Sequence, residues 1–230
     1  MVVVASLGGE RLRATLESVA WAPRVAVTDP GGGAELSSLP PGTARWEVAD
    51  LCGQVGDEWV LLLAEGDRVS DGLRAALPAA TRDGGPSAYR VPLEYAAFGG
   101  TLRPRGEPVR LCRGGLAGIG MSAHGELALR SLGRVASLDE AVSVAAGATL
   151  IDGVYELDRD AAAWAALAVS EVDLGPVRAI RIGTTSLVRM LLGRGRGRLG
   201  WGRLVLAVLR GYRAVLTLGK AWEGRRGPAT

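Results

Sequence analysis

The chain has 230 residues, 48% hydrophobic and 22% charged, enough to bury a sizeable core and too mixed in polarity for an integral membrane bundle. Two cysteines, Cys52 and Cys112, form no CxxC pair, and His124 is the single histidine, which argues against a zinc site, a disulfide scaffold and any site needing two imidazoles. The net charge of +3 is unevenly placed: residues 176–230 carry twelve Arg and Lys against one acid, Glu223, so +11 sits there and −8 in residues 1–175. A basic tail on an acidic body points to an anionic partner, membrane lipid or nucleic acid.

In chain order, Val2–Ala5 is a β-branched run and reads as a strand. After the turn residues Gly8 and Gly9, Leu12, Leu16 and Val19 share one helical face. Residues 24–28 alternate into a second strand, so a strand-helix-strand unit with parallel strands is expected. The segment from Asp29 through Pro30 and Gly31, Gly32 and Gly33 is a turn, 46–48 a short edge strand, and 59–63 a further strand apolar enough to be covered on both faces. That strand stops on two acids, Glu65 and Asp67. Ligands of open α/β sheets bind outside the carboxyl ends of the strands, and acids spaced i, i+2 there can share a divalent cation.

Beyond the acids, Ser70 is placed to cap a helix bearing Leu73, Ala76 and Leu77. Residues 88–93 and 109–112 read as strands. After Leu138 the pattern turns helical, with Ala-rich stretches at 139–147 and 156–169 and a Gly/Arg linker at 193–200. Trp21, Trp46, Trp59 and Trp164 lie in periodic apolar contexts and are expected in the core.

The last helix has two faces at about 100° per residue. Trp201, Leu204, Val205, Val208, Leu209, Tyr212, Val215 and Leu216 share one; Arg203, Arg210, Arg213 and Lys220 lie opposite. That arrangement suits an interfacial membrane helix, and equally a helix packed on its own domain with a solvated basic face. Trp201 and Trp222 flank it as anchors at headgroup depth. The apolar run at 204–209 ends at Arg210, far short of the roughly 20 residues of a bilayer span. No basic residue precedes the first apolar run, which is shorter than the roughly 7–15 residues of a signal-peptide core. A cytoplasmic chain, peripheral on the inner face of the membrane, is the expectation.

The ordered segments VVVAS, LESVAWAPRVAVTD, GDEWVLLLAEGDRVS, AYRVPLEYAAFGG, VRLCRGG and GYRAVLTLGKAWE span nearly the whole chain. In that order the chain resembles the family 2 inverting glycosyltransferases of the GT-A fold, in particular the small bacterial enzymes that add sugars to lipopolysaccharide core. The resemblance implies an α/β, GT-A-like (Rossmann-like), mostly parallel sheet flanked by helices over 1–137, and a helical C-terminal region over 138–230 ending in the amphipathic helix. It implies a nucleotide-diphosphate sugar donor contacted by Ser6, Asp29 and Arg110, and a Mg²⁺ or Mn²⁺ held by Glu65 and Asp67 against the diphosphate. The AHGE stretch offers Glu126 as the base that deprotonates the acceptor, with His124 beside it.

The acceptor implied is lipid-linked or a cell-envelope saccharide. An anionic membrane surface is a further partner, met through the basic helix, and no nucleic acid is expected. The chain departs from the family at the metal motif, where Ala64 and Gly66 stand at positions of aspartates and the acid pair falls one residue late. Two readings stay open: a transferase whose pair still holds metal, and a non-catalytic relative that binds or scaffolds at the membrane.

Overall fold

A computed structural model describes residues 2–5, 11–28, 39–46, 55–97, 100–113, 118–121, 127–145, 154, 161, 165, 176–197 and 200–226. The chain divides into two compact units: Met1–Leu93 with Glu107–Ile119 and Leu127–Val144, and Glu94–Gly106 with Gly120–Glu126 and Ala145–Thr230.

The first unit is an α/β fold built on a mostly parallel seven-stranded sheet. Strand β1 (Val2–Ala5) lies at its centre. On one side follow β2 (Val25–Thr28) and, at the edge, β3 (Thr43–Trp46); on the other, β4 (Trp59–Ala64), β9 (Val109–Arg113), β6 (Ala88–Arg90) and β12 (Val135–Ser137). The block β4-β1-β2-β3 is parallel throughout, and β9 runs antiparallel to β4 and β6. Val2, Val3 and Val4, and Val60, Leu61, Leu62 and Leu63, are all buried, as strands covered on both faces require.

Helix α1 (Arg11–Ser18) packs on this sheet by the expected face, since Leu12, Leu16 and Val19 are buried. Its C-terminal end is closed when the Trp21 indole donates to Ser18 O at 2.9 Å. Strand β5 (Asp67–Val69) pairs antiparallel with β13 (Val142–Ala145). Helix α2 (Asp71–Ala80) starts at the predicted cap: Ser70 is extended and its hydroxyl accepts the Leu73 N–H at 3.1 Å. The chain also forms β10 (Gly118–Met121), which pairs with β11 (Leu127–Arg130).

In the second unit β7 (Leu93–Ala97), β8 (Gly100–Arg103) and β14 (Arg194–Gly197) pair antiparallel. Helices α3 (Pro176–Leu191) and α4 (Gly200–Arg226) cross where Gly183 meets Gly211. A Cβ on Gly183 would stand 3.0 Å from Gly211 O, and one on Gly211 equally close to Gly183 O, so only glycine lets the two backbones approach this far.

Several sequence expectations are corrected. The edge strand is Thr43–Trp46, with 47 and 48 outside the described residues. The single strand expected at 88–93 is two, β6 and β7, because Pro92 has no N–H to offer a ladder. Within the supposed helix at 139–147, residues 142–145 form β13, with Val142 and Val144 buried on one side of Ser143. Of 156–169 only residues 161 and 165 are described, and both are helical. The Gly/Arg linker contains β14. Trp21, Trp46 and Trp59 are half-buried rather than core: Arg74 stacks on Trp21, Arg24 on Trp46, and Trp59 meets Tyr89. Trp164 lies outside the described residues.

Candidate functional site

Three parallel strands end together. Ala5 of β1 is in register with Thr28 of β2 on one side and Ala64 of β4 on the other. The chain leaves β1 for β2 and β3, then returns across β1 to lay down β4, so the strand order reverses between β1 and β4. A reversal of this kind opens a crevice at the carboxyl ends, the ligand position of open α/β sheets. Thr28, at that end, is fully buried, and among the described residues its hydroxyl has no hydrogen-bond partner.

The loop leaving β4 is a two-residue turn. Gly66 takes φ +90°, a left-handed backbone that side chains rarely adopt, and its N–H donates to Thr15 Oγ1 at 2.9 Å. Thr15 in turn donates to Arg11 O at 3.2 Å, and Val69 N–H reaches Ser18 Oγ at 3.3 Å. Two hydroxyls spaced i, i+3 on α1 therefore fasten the turn to the helix, a role absent from the expectations drawn above. Their signal in the sequence is a Thr and a Ser on the same face as Leu12 and Val19, where apolar residues are the rule.

Gly66 separates the two acids, Glu65 in the turn and Asp67 at the start of β5. Glu65 is half-buried. Asp67 is 2% exposed, and its Oδ2 accepts both the Ala64 N–H at 2.8 Å and the Arg110 Nη1–H at 3.1 Å. Arg110, 3% exposed on β9, shares the same Nη1 with Leu62 O at 3.3 Å. Asp67 and Arg110, expected respectively as metal ligand and donor contact, are thus brought together as a buried ion pair joining β9 to the β4–β5 turn. A carboxylate already neutralised by a guanidinium gains little from a divalent cation and would surrender the pair to bind one. Among the described residues no three of His, Cys, Asp and Glu gather as a metal group. Asp67 is thus committed to Arg110, and among the described residues it is not gathered with two further acid, cysteine or histidine ligands for Mg²⁺ or Mn²⁺. Ser6, Asp29, His124 and Glu126 lie outside the described residues.

No protein-family model matches the chain, and no curated protein matches it. Among solved structures it is similar to TarS 1–349 from S. aureus in complex with UDP-GlcNAc, at 12% identity and a TM-score of 0.43, and to TarS 1–349 in complex with UDP, at 12% and 0.40. TarS 1–349 on its own gives 10% and 0.37. Each likeness covers 98% of this chain and 91% of the other.

The second unit presents a different surface. On α4 the residues turned inward are Leu206, Ala207, Gly211, Thr217, Leu218 and Ala221, with Leu218 and Ala221 packing against Ala165 and, beyond it, Ala179 and Ile182 of α3. The face that carries Trp201, Leu204, Val208, Tyr212 and Val215 is the exposed one, Trp201 by 79%. Arg203 and Arg210, expected on a solvated basic side, lie in the inward sector: Arg203 hydrogen-bonds Gly193 O, and Arg210 stacks on the buried Tyr95 ring at 4.2 Å. Val177, Ile180, Val188, Leu191 and Leu192 extend the exposed apolar surface along α3 and just past its end. No described helix is long and apolar enough to cross a membrane.

Proposed function

We propose that the chain is a glycosyltransferase-like protein that takes a nucleotide-diphosphate sugar at the carboxyl ends of β1 and β4 and serves a lipid-linked or cell-envelope saccharide acceptor at a membrane surface. The observation that carries this reading is the reversal of strand order between β1 and β4 with Ala5, Thr28 and Ala64 ending in register. The ordered sequence resemblance agrees with it. In this reading Asp29 accepts hydrogen bonds from the base or ribose, and the buried Thr28 hydroxyl is a donor at the same strand end. Glu126 takes the proton of the acceptor hydroxyl. The freed oxygen attacks the anomeric carbon, the bond to the diphosphate oxygen breaks with its electron pair, and the configuration inverts. No step runs through a metal.

The exposed apolar face of α4 gives the membrane contact, with Trp201 and Trp222 at the interface. One observation favours the second reading, a non-catalytic relative: the acid that would hold metal is consumed by Arg110. Calorimetric titration of the full chain with UDP-sugars, with and without Mn²⁺, together with mass-spectrometric detection of sugar transfer to lipid-linked acceptors, tests both. Binding with transfer supports the enzyme, and binding without transfer supports the non-catalytic relative. No binding of any nucleotide sugar sinks the enzyme reading and leaves the membrane scaffold, which loss of vesicle binding by the full chain would overturn.

A further inference from the structure

Helices α3 and α4 run antiparallel. A Cβ on Gly211 would stand 3.2 Å from Leu187 Cβ, and one on Gly183 2.5 Å from Val215 Cγ2, so as α4 advances from Gly211 to Val215 its neighbour on α3 recedes from Leu187 to Gly183. Each helix also carries an exposed apolar stripe: Val177, Ile180, Val188 and Leu191 on α3, and Trp201, Val208 and Tyr212 on α4. Stepping about 100° per residue, the α3 stripe lies about 60–140° round from Gly183, and the α4 stripe about 60–100° round from Gly211 in the same sense. Viewed from one end, antiparallel helices turn in opposite senses, so both stripes come to the same side of the pair. The second unit thus presents one two-helix apolar face, bordered on α3 by the exposed Arg181.

We infer that α3 and α4 together bind an anionic phospholipid bilayer, lying flat on it with both stripes at headgroup depth. This contact deepens the membrane reading proposed above and rests on it, while needing nothing of the nucleotide-sugar site. A one-sided apolar face with a cation at its border holds a helix in the plane of the interface. Trp201 and Tyr212 each join an apolar ring to a polar tip, which suits that depth. Charge selects the occupant. Residues 176–230 carry twelve Arg and Lys against one acid, a net +11, so a second copy of this face would bring like charges together, whereas acidic headgroups attract them. A nucleic acid would satisfy the charge and leave the apolar stripes in water.

The test sediments full-length protein with vesicles of phosphatidylglycerol in phosphatidylcholine and of phosphatidylcholine alone. Ile180→Asn on α3 and Val208→Asn on α4 remove apolar contact without changing charge, and Thr185→Asn, exposed on α3 outside the stripe, is the control. Each variant is checked for an unchanged circular dichroism spectrum. The expected result is binding to the phosphatidylglycerol vesicles that Ile180→Asn and Val208→Asn each weaken about tenfold or more and that Thr185→Asn leaves in place. Weakening by one of the two variants only, or by neither, overturns the two-helix face while the membrane reading stands. Equal binding to phosphatidylcholine alone overturns the anionic occupant. No binding to either vesicle overturns the inference together with the membrane reading, and a dimer in sedimentation velocity that Ile180→Asn dissociates then makes a second copy the occupant.

Discussion

Asp67→Asn removes one negative charge while leaving an amide oxygen to accept the Ala64 N–H. What it takes away is the ion-pair partner of Arg110, a residue 3% exposed whose Nη1 also donates to Leu62 O. Removing one member of a buried ion pair strands the other charge, at a cost of about 3–5 kcal/mol. For a chain of this size each kcal/mol moves the melting midpoint by roughly 2–4 °C, so Asp67→Asn should melt about 6–20 °C below wild type. The double variant Asp67→Asn with Arg110→Met removes both charges and should recover part of that loss, with a coupling of about 0.5–3 kcal/mol in a double-mutant cycle. Urea unfolding followed by circular dichroism gives all four free energies. The same series separates a structural acid from a metal ligand: saturating MnCl₂ should leave the wild-type midpoint unchanged. A loss of under ~1 kcal/mol in Asp67→Asn, or a Mn²⁺-dependent rise in the wild-type midpoint that Asp67→Asn abolishes, would refute the structural assignment.

Gly66→Ala should cost about 1–2 kcal/mol, because φ +90° is unfavourable for alanine and the new Cβ would stand 3.2 Å from Arg11 Cδ; urea unfolding reads it. Gly211→Val should loosen the crossing of α3 and α4 by about 1–3 kcal/mol, seen as faster amide exchange confined to those helices. Ser70→Ala should lose about 1 kcal/mol in chemical denaturation, since its hydroxyl caps α2 through Leu73 N–H. Val208→Asp, at an exposed site on α4, should leave the melting midpoint in place yet weaken binding to anionic vesicles about tenfold, as loss of one buried Val side chain at the bilayer surface predicts.

The parallel block was legible because its strands are β-branched or leucine runs too short for helices: VVVA, VAVT and WVLLLA admit few alternatives. The Ser70 cap and the α1 face were legible because both are local, set within four residues. Strand β13 was hidden by composition, since alanines around VSV imitate a helix while the alternation of Val142, Ser143 and Val144 spans only three positions. The buried pair was illegible for a different reason: Asp67 and Arg110 lie 43 residues apart, and nothing local says which acid answers which arginine. A retrospective signal exists in Arg110 itself, a cation between Val109 and Leu111 in β9, which a buried strand tolerates only beside a counter-charge.

The two faces of α4 show how a correct pattern can receive the wrong assignment. Helical periodicity separates the apolar residues from the cations, and an ordinary soluble helix then turns the apolar side inward. Here the inward side is made of Ala207, Gly211 and Ala221 with Leu206 and Leu218, because close approach to α3 at Gly183 needs small residues rather than large ones. Once that side is taken, Trp201, Leu204, Val208, Tyr212 and Val215 have nowhere to go but outward, and Arg210 turns in to lie on Tyr95. The exposed stripe and the inward turn of Arg210 thus share one cause. A glycine-packed helix pair leaves its large apolar residues exposed and turns Arg203 and Arg210 toward the interior, where Gly193 O and the Tyr95 ring receive them.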